Sequence, residues 1–334
     1  MKTYIKKGVF VKRREFLKNS ALLGAVATFG GALNLNANSQ NLKGEAMKFI
    51  TLNDGNKMPI LGYGVYQIPQ NNTQRCVEDA ISVGYRSIDT AQAYQNELGV
   101  GAALNSAIKG GIKRDEFFIT TKIWVRNTTE SGVLRSFEAS MKKLGLDYLD
   151  LLLIHQPYND VYGAWRAMSR LKNEGRIKSI GVSNFYPDRL TDFAMNNEIK
   201  PAINQIELNP FHQRKFDREI AKKYGVAVQS WASFGEGRDD MFNNPILKKI
   251  GDKYGKSVAQ TILRYLIQLD IIVIPKTTRK ERMIENFSVF DFELNANDMQ
   301  TIANMDEQTS VFINDFNHLD PKTVEMLNDW KLPD

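Results

Sequence analysis

Between residues 61 and 286, short apolar or β-branched runs alternate with longer stretches whose apolar residues recur at helical spacing. The short runs are 61–66, 86–89, 117–122, 149–154, 179–183, 202–206, 226–230 and 271–274. The helix-like stretches are 73–83, 97–108, 130–144, 161–174, 187–196, 215–224, 258–268 and 279–286. Eight strand–helix units with no Pro- or Ser-rich linker between them predict an α/β fold of one domain, a closed parallel (β/α)8 TIM barrel. A doubly wound open sheet is the alternative that the pattern leaves. Ahead of the barrel, 48–52 and 58–60 flank Asn53-Asp54-Gly55-Asn56, which reads as a β-hairpin. Behind it come a helix over 296–304 and a less regular tail.

Charge divides the chain differently. The net charge is +6, and residues 1–41 carry seven cations (Lys2, Lys6, Lys7, Lys12, Arg13, Arg14 and Lys18) against one anion, Glu15. The other 37 cations face 37 anions. A neutral body has no reason to track phosphates, so no nucleic-acid partner is expected.

The first forty residues have the layout of a targeting segment: a basic stretch, an uncharged run over 21–33, then a polar run to Asn41. The uncharged run is well short of the roughly 20 residues that span a bilayer, so no stable membrane span is expected. Lys12-Arg13-Arg14-Glu15-Phe16-Leu17-Lys18 resembles the twin-arginine export signal. That resemblance implies a signal over 1–37, cleaved after Ala32 or Ala37, a linker over 38–47 and a barrel over 48–334. It also implies a partner in the twin-arginine export machinery and a periplasmic location. A basic tail on a cytoplasmic protein is the alternative. Cys76 is the only cysteine and lies on the apolar phase of a helical stretch, so it reads as core.

In such a barrel, polar residues at the carboxyl ends of the strands converge on one mouth. Asp89, Tyr94, Lys122 and His155 stand there after the second, third and fourth runs. Singly, each has an ordinary structural explanation as a cap, a packed ring or a bonded core residue. Together they suit proton donation to a carbonyl oxygen: a carboxylate holds an ammonium, and the ammonium favours the phenolate and lowers the phenol's pKa. His155 would orient the carbonyl.

Gly84-Tyr85-Arg86-Ser87-Ile88-Asp89-Thr90-Ala91-Gln92-Ala93-Tyr94, Thr121-Lys122-Ile123-Trp124 and Asp150-Leu151-Leu152-Leu153-Ile154-His155-Gln156-Pro157 resemble the aldo-keto reductase family. So do Ile180-Gly181-Val182-Ser183-Asn184-Phe185, Asn204-Gln205-Ile206-Glu207 and Ile274-Pro275-Lys276 with Glu281-Arg282 and Glu285-Asn286. The match runs in order from about Phe49 and is similar to single-domain bacterial members of the diketogluconate reductase type. The resemblance implies hydride transfer between NADPH and an aldehyde or ketone, with Tyr94, Asp89, Lys122 and His155 as the catalytic tetrad and Tyr94 as general acid. By the same resemblance, Ser183, Asn184 and Gln205 meet the nicotinamide and Trp231 stacks on it. Lys276, Thr277 and Arg282 grip the adenosine 2′-phosphate, and Glu285 and Asn286 lie beside the adenine. Tyr66 and Trp124, with His155, fall at positions of the substrate pocket.

Cations suit a dianionic phosphate, which favours NADPH over NADH. Where the family commonly has aromatic-Ser-Pro-Leu, this chain reads Trp231-Ala232-Ser233-Phe234 and lacks a hydroxyl at Ala232. His212 and His318 have no partner at metal-ligand spacing and read as structural or surface residues, and no metal is expected. The loops at 158–160 and 236–244 are short, so an open pocket is expected, on a monomer. A cofactor-binding regulatory subunit on the same barrel is the competing function.

Overall fold

The computed structural model describes residues 48–314 and 316–332. The expected signal and linker lie outside the described residues.

Strands β1 (Phe49–Thr51) and β2 (Lys57–Pro59) pair antiparallel as the expected hairpin. Gly55 turns the chain at a φ of 86°, a conformation that favours glycine. The hairpin is tied to the barrel by side-chain amides. Asn53 donates to the Pro201 carbonyl at 2.8 Å, and Asn56 donates to Ser179 Oγ at 3.0 Å.

Eight parallel strands follow: β3 (Tyr63–Gly64), β4 (Ser87–Asp89), β5 (Phe118–Ile123), β6 (Leu149–Ile154), β7 (Ile177–Ser183), β8 (Ile203–Glu207), β9 (Ala227–Trp231) and β10 (Ile272–Val273). They neighbour one another in chain order. A parallel bridge between Leu61 and Val273 brings the last strand to the first, with Gly62 N–H donating to the Val273 carbonyl at 2.8 Å and Val273 N–H to the Ile60 carbonyl at 2.9 Å. Those bonds close the barrel and exclude the open sheet. Every residue of β6 is buried, as its unbroken apolar run requires of a strand covered on both faces. At Gly181 a Cβ would sit 2.8 Å from the Ile203 carbonyl oxygen, so a side chain there would push β7 from β8.

The outer layer comprises α1 (Gln70–Val83), α2 (Glu97–Lys109), α3 (Glu130–Leu144), α4 (Val161–Asn173), α5 (Pro187–Met195), α6 (Lys215–Tyr224), α7 (Pro245–Tyr254), α8 (Val258–Gln268) and α9 (Lys280–Phe287). Helix α3 shows how local sequence sets an element. Thr129 Oγ1 accepts from Gly132 N–H at its start, and Val133, Phe137, Met141 and Leu144 form one buried stripe. Between α4 and α5, Trp165 packs edge-on against Phe193 at 5.0 Å and donates its indole N–H to the Ile199 carbonyl. Cys76 is buried, as expected.

Two helices depart from the expectations. Helix α7 forms where none was expected, capped by the Asn244 side chain on Ile246 and Leu247 N–H and opened by Pro245. After α10 (Ala296–Ala303), the tail contains α11 (Pro321–Asp329), capped by Asp320, and is more regular than expected. The tail reaches the carboxyl-end mouth, where Leu327 joins Trp124 and Val125 in a small buried cluster. This corrects the open pocket: a wall is supplied from the far end of the chain.

Candidate active site

Strand β4 ends at Asp89 and a 3-10 turn over Gln92–Tyr94 follows it. The turn is fixed on both sides. Gln92 Oε1 accepts from Trp124 N–H at 3.0 Å, and Asn96 Nδ2 donates to the carbonyls of Val65 and Ile68 at 2.9 and 3.1 Å. Tyr94 is therefore held over the barrel mouth by bonds to two neighbouring loops.

Lys122, in β5, is fully buried. Its ammonium has three hydrogens and three acceptors: Asp89 Oδ1 at 2.5 Å, the Thr90 carbonyl at 2.9 Å and Tyr94 OH at 3.1 Å. The other oxygen of Asp89 accepts from Gln205 Nε2 at 2.9 Å. The carboxylate, the ammonium and the phenol thus form one chain of hydrogen bonds, with Asp89 and Lys122 buried and Tyr94 half-buried.

The direction of the Tyr94 pKa corrects the sequence expectation. Burial, aided by the negative charge of Asp89, moves it well above the ordinary phenol value. Lys122 contacts the hydroxyl but does not outweigh desolvation, and burial lowers its own pKa against the pull of Asp89. The phenol therefore holds its proton throughout the neutral range. His155, directly after β6, is moved well below the ordinary imidazole value by burial, by the charge of Lys122 and by His318. It is neutral at pH 7. Its ring lies edge-on to Tyr94 at 5.7 Å, and its Nδ1 has no partner among the described residues.

The pocket residues separate. Tyr66 is 44% exposed and its ring lies 5.0 Å from that of Tyr94. Trp124 is buried, because the tail covers it: its ring meets Trp330 at 5.4 Å and its indole N–H donates to the Trp330 carbonyl at 2.9 Å. Of the two readings left for His318, the structural one holds: it is buried, and its Nε2 lies 3.0 Å from Oε1 of Gln156, the residue after His155. Tyr158 OH donates to the His318 carbonyl at 2.7 Å. A cavity of about 460 Å³ lies among Tyr158, Asn184, Tyr186, Arg189, His318 and Asn328. Asp89, Tyr94, Lys122 and His155 do not line it, so it lies beside that cluster.

The residues expected to meet a cofactor fall in two places. At the ends of β7, β8 and β9, Ser183 Oγ donates to the Gln205 carbonyl at 2.8 Å, and Asn184 Oδ1 accepts from Trp231 Nε1 at 2.8 Å. Asn184 Nδ2 donates to the His155 carbonyl at 3.2 Å, which joins this wall to the one that carries His155. Phe312 of the tail packs on the Trp231 ring at 5.4 Å. Ser310 Oγ, at 2.5 Å, and Val311 N–H, at 3.2 Å, donate to the buried Glu207 carboxylate and hold that part of the tail in place. The second place is the start of α9. Lys276 and Arg282 are exposed and make no ion pair among the described residues, whereas Lys280 reaches Asp79 at 3.8 Å. The α9 N-cap, Arg279, offers no side-chain cap, which leaves the first-turn N–H groups to other acceptors. Thr277 accepts at its carbonyl from Tyr63 OH at 2.5 Å, Glu285 is half-buried and Asn286 is buried.

These residues fit a reduced nicotinamide dinucleotide: polar atoms and an indole face at one wall of the mouth, and two unpaired cations at an uncapped helix start. Among the described residues, no group of three His, Cys, Asp or Glu side chains could hold a metal, and no helix is long and apolar enough to cross a membrane.

Fold and site together define a (β/α)8-barrel enzyme arranged for acid–base work on a carbonyl group. The Aldo/keto reductase family matches residues 60–307. An aldo-keto reductase of Mycolicibacterium smegmatis is 43% identical over 260 residues, covering 77% of this chain and 93% of that protein. The glyoxal reductase of Bacillus subtilis is 41% identical over 263 residues, covering 78% and 94%. Among solved structures, a Bombyx mori aldo-keto reductase in complex with NADP superposes with a TM-score of 0.77 at 33% identity, covering 86% of this chain and 98% of that one. The chain belongs to the aldo/keto reductase family, and it is an oxidoreductase acting on carbonyl groups.

Proposed function

We propose that the protein reduces an aldehyde or ketone to the alcohol with NADPH, and that Tyr94 protonates the carbonyl oxygen. The observation that carries this reading is the triple hydrogen bonding of Lys122 to Asp89, Thr90 and Tyr94 in a fully buried position. A bound NADPH supplies the hydride that goes to the carbonyl carbon.

Tyr94 supplies the matching proton, and its raised pKa keeps that proton available at neutral pH. As the proton leaves, negative charge grows on the phenol oxygen, where the Lys122 N–H already points. Asp89 opposes the burial that lowers the Lys122 pKa and so favours the ammonium. His155, neutral, offers a ring N–H to the same carbonyl oxygen and steers it toward Tyr94. Tyr66 and Trp124 flank these groups with aromatic surface, which suits small apolar or unsaturated carbonyl compounds.

Ser183, Asn184 and Gln205 would hold the carboxamide of the nicotinamide, and Trp231 would offer its indole to the ring. Lys276, Thr277 and Arg282 would hold the 2′-phosphate, with Glu285 and Asn286 near the adenine. Arg282→Ala should therefore weaken NADPH binding about tenfold or more, the scale of one charge-assisted hydrogen bond, and leave NADH binding nearly unchanged. Fluorescence titration with both cofactors checks this; equal losses would remove the phosphate role. The relative named glyoxal reductase makes glyoxal the first substrate to test, with loss of the near-ultraviolet absorbance of reduced nicotinamide as the readout. The barrel is proposed to work as a monomer. The twin-arginine-like leader is proposed to carry it, already folded, to the periplasm.

A further inference from the structure

Gln205 donates twice from the same amide nitrogen: to Asp89 Oδ2 at 2.9 Å and to Gln229 Oε1 at 2.8 Å. Gln205 and Gln229 are register partners on β8 and β9, and both side chains are buried. Gln229 makes no contact with the tetrad residues through a hydrogen bond of its own. Its amide nitrogen is buried without a partner among the described residues. A buried amide with one end unpaired is costly, so the end that is paired carries the reason for having an amide there at all.

That reason is orientation. An amide side chain can present either its oxygen or its nitrogen to a neighbour, and the two ends have nearly the same shape. Asp89 needs a donor. With the Gln229 carbonyl on the second side of the Gln205 nitrogen, the reversed orientation would set oxygen against oxygen at both contacts. Only one orientation of Gln205 satisfies both neighbours.

We propose that Gln229 is a positioning residue for the reduction: by locking the Gln205 amide it keeps a hydrogen bond on Asp89 and so sets how much negative charge reaches Lys122 and Tyr94. The inference rests on the reductase reading given above. The chain of contacts runs Gln229, Gln205, Asp89, Lys122, Tyr94, with successive distances of 2.8, 2.9, 2.5 and 3.1 Å. When the Gln205 hydrogen bond is lost, the Asp89 carboxylate is less stabilised and exerts a stronger negative potential on the phenol. Tyr94 then gives up its proton less readily. The ionisable groups acting on Tyr94 are Asp89, Lys122, Tyr66 and Glu236, with the neutral His155 edge-on to its ring. Gln229 itself is uncharged and works only through this chain.

The test is Gln229→Met, close in volume and without an acceptor, compared with Gln229→Glu. Burial keeps the new carboxyl protonated, so its carbonyl oxygen can still accept from Gln205. For Gln229→Met, kcat for glyoxal reduction with NADPH is expected to fall about tenfold, the scale of one hydrogen bond to a charged group. Because Gln205 is also proposed to meet the nicotinamide, NADPH binding should weaken too, but by less than kcat falls, and the alkaline limb of the kcat profile should move to higher pH. Gln229→Glu should restore kcat near neutral pH. If Gln229→Met proves unstable, Gln229→Asn, which withdraws the carbonyl by one methylene, is read in the same way. An unchanged kcat and alkaline limb in a folded variant lacking the acceptor would overturn the proposal, and so would a Gln229→Glu protein as slow as the Met variant. Failure of the wild-type protein to reduce any carbonyl would instead overturn the reductase reading itself.

Discussion

Replacing Tyr94 with Phe should lower kcat for carbonyl reduction by about 10²–10⁴-fold, the range contributed by a positioned general acid. NADPH affinity should change little, because none of the side chains assigned to the cofactor bonds to the Tyr94 hydroxyl. That hydroxyl accepts from Lys122, and the rest of the ring packs against Tyr66 and His155. Phe keeps this packing and removes only the proton source. Stopped-flow measurement of a single turnover separates the chemical step from cofactor release, and the loss should appear in the chemical step. A variant that turns over at the wild-type rate would show that the proton comes from another group.

Lys122→Met is expected to be the more damaging change, since it acts on both activity and stability. Lys122 is fully buried and its ammonium satisfies Asp89, Thr90 and Tyr94 at once. Removing one member of a buried ion pair leaves the other without compensation and costs about 3–5 kcal/mol. Asp89 would keep only the Gln205 hydrogen bond, and the phenol would lose the cation that stabilises its developing charge. Urea unfolding should show the stability loss, and kcat should fall at least as far as in Tyr94→Phe. Unchanged stability would mean that the buried pair contributes far less than its geometry implies. The Met side chain fills much of the same volume, so a cavity would not account for the effect.

Much of the barrel could be read from local pattern. The run at 149–154 became β6 without a shift, and the stretches at 130–144, 215–224 and 258–268 became α3, α6 and α8 with the expected bounds. Each has a period that survives folding because a strand or helix presents it to one continuous core. The run at 61–66 yielded only a two-residue β3: Val65 N–H makes the last ladder bond to the Asp89 carbonyl of β4, and the chain then turns, with Ile68 N–H bonding back to the Val65 carbonyl. Helix α7 was missed because it is short, lysine-rich and buries only Leu247, Ile250 and Gly251.

The candidate site shows the same division. Asp89, Tyr94, Lys122 and His155 stand at successive strand ends, so the repeat that builds the barrel also brings them together. The contacts that close the site come from far along the chain: Gln156 with His318, Trp124 with Trp330, Trp231 with Phe312, and Glu207 with Ser310. No periodicity relates those pairs. Each joins a strand end or its loop to a tail segment outside the helices. Gln229 carries no sequence signal for a different reason. In sequence it is one polar residue in an apolar strand, and its value lies in a bond to a residue on the next strand. The direction of the Tyr94 pKa was also out of reach, because desolvation depends on how completely the folded chain excludes water.

The central claim is that a carbonyl carbon receives hydride in this barrel mouth while Tyr94 protonates the oxygen. The most direct measurement is a turnover with NADPH deuterated at both C4 positions of the nicotinamide, followed by mass spectrometry of the alcohol formed from glyoxal. One deuterium on the carbon of the new alcohol, formed about 10²–10⁴-fold more slowly by Tyr94→Phe, is the expected result. An alcohol without the label, or a labelled product formed equally fast by the Tyr94→Phe variant, would contradict it.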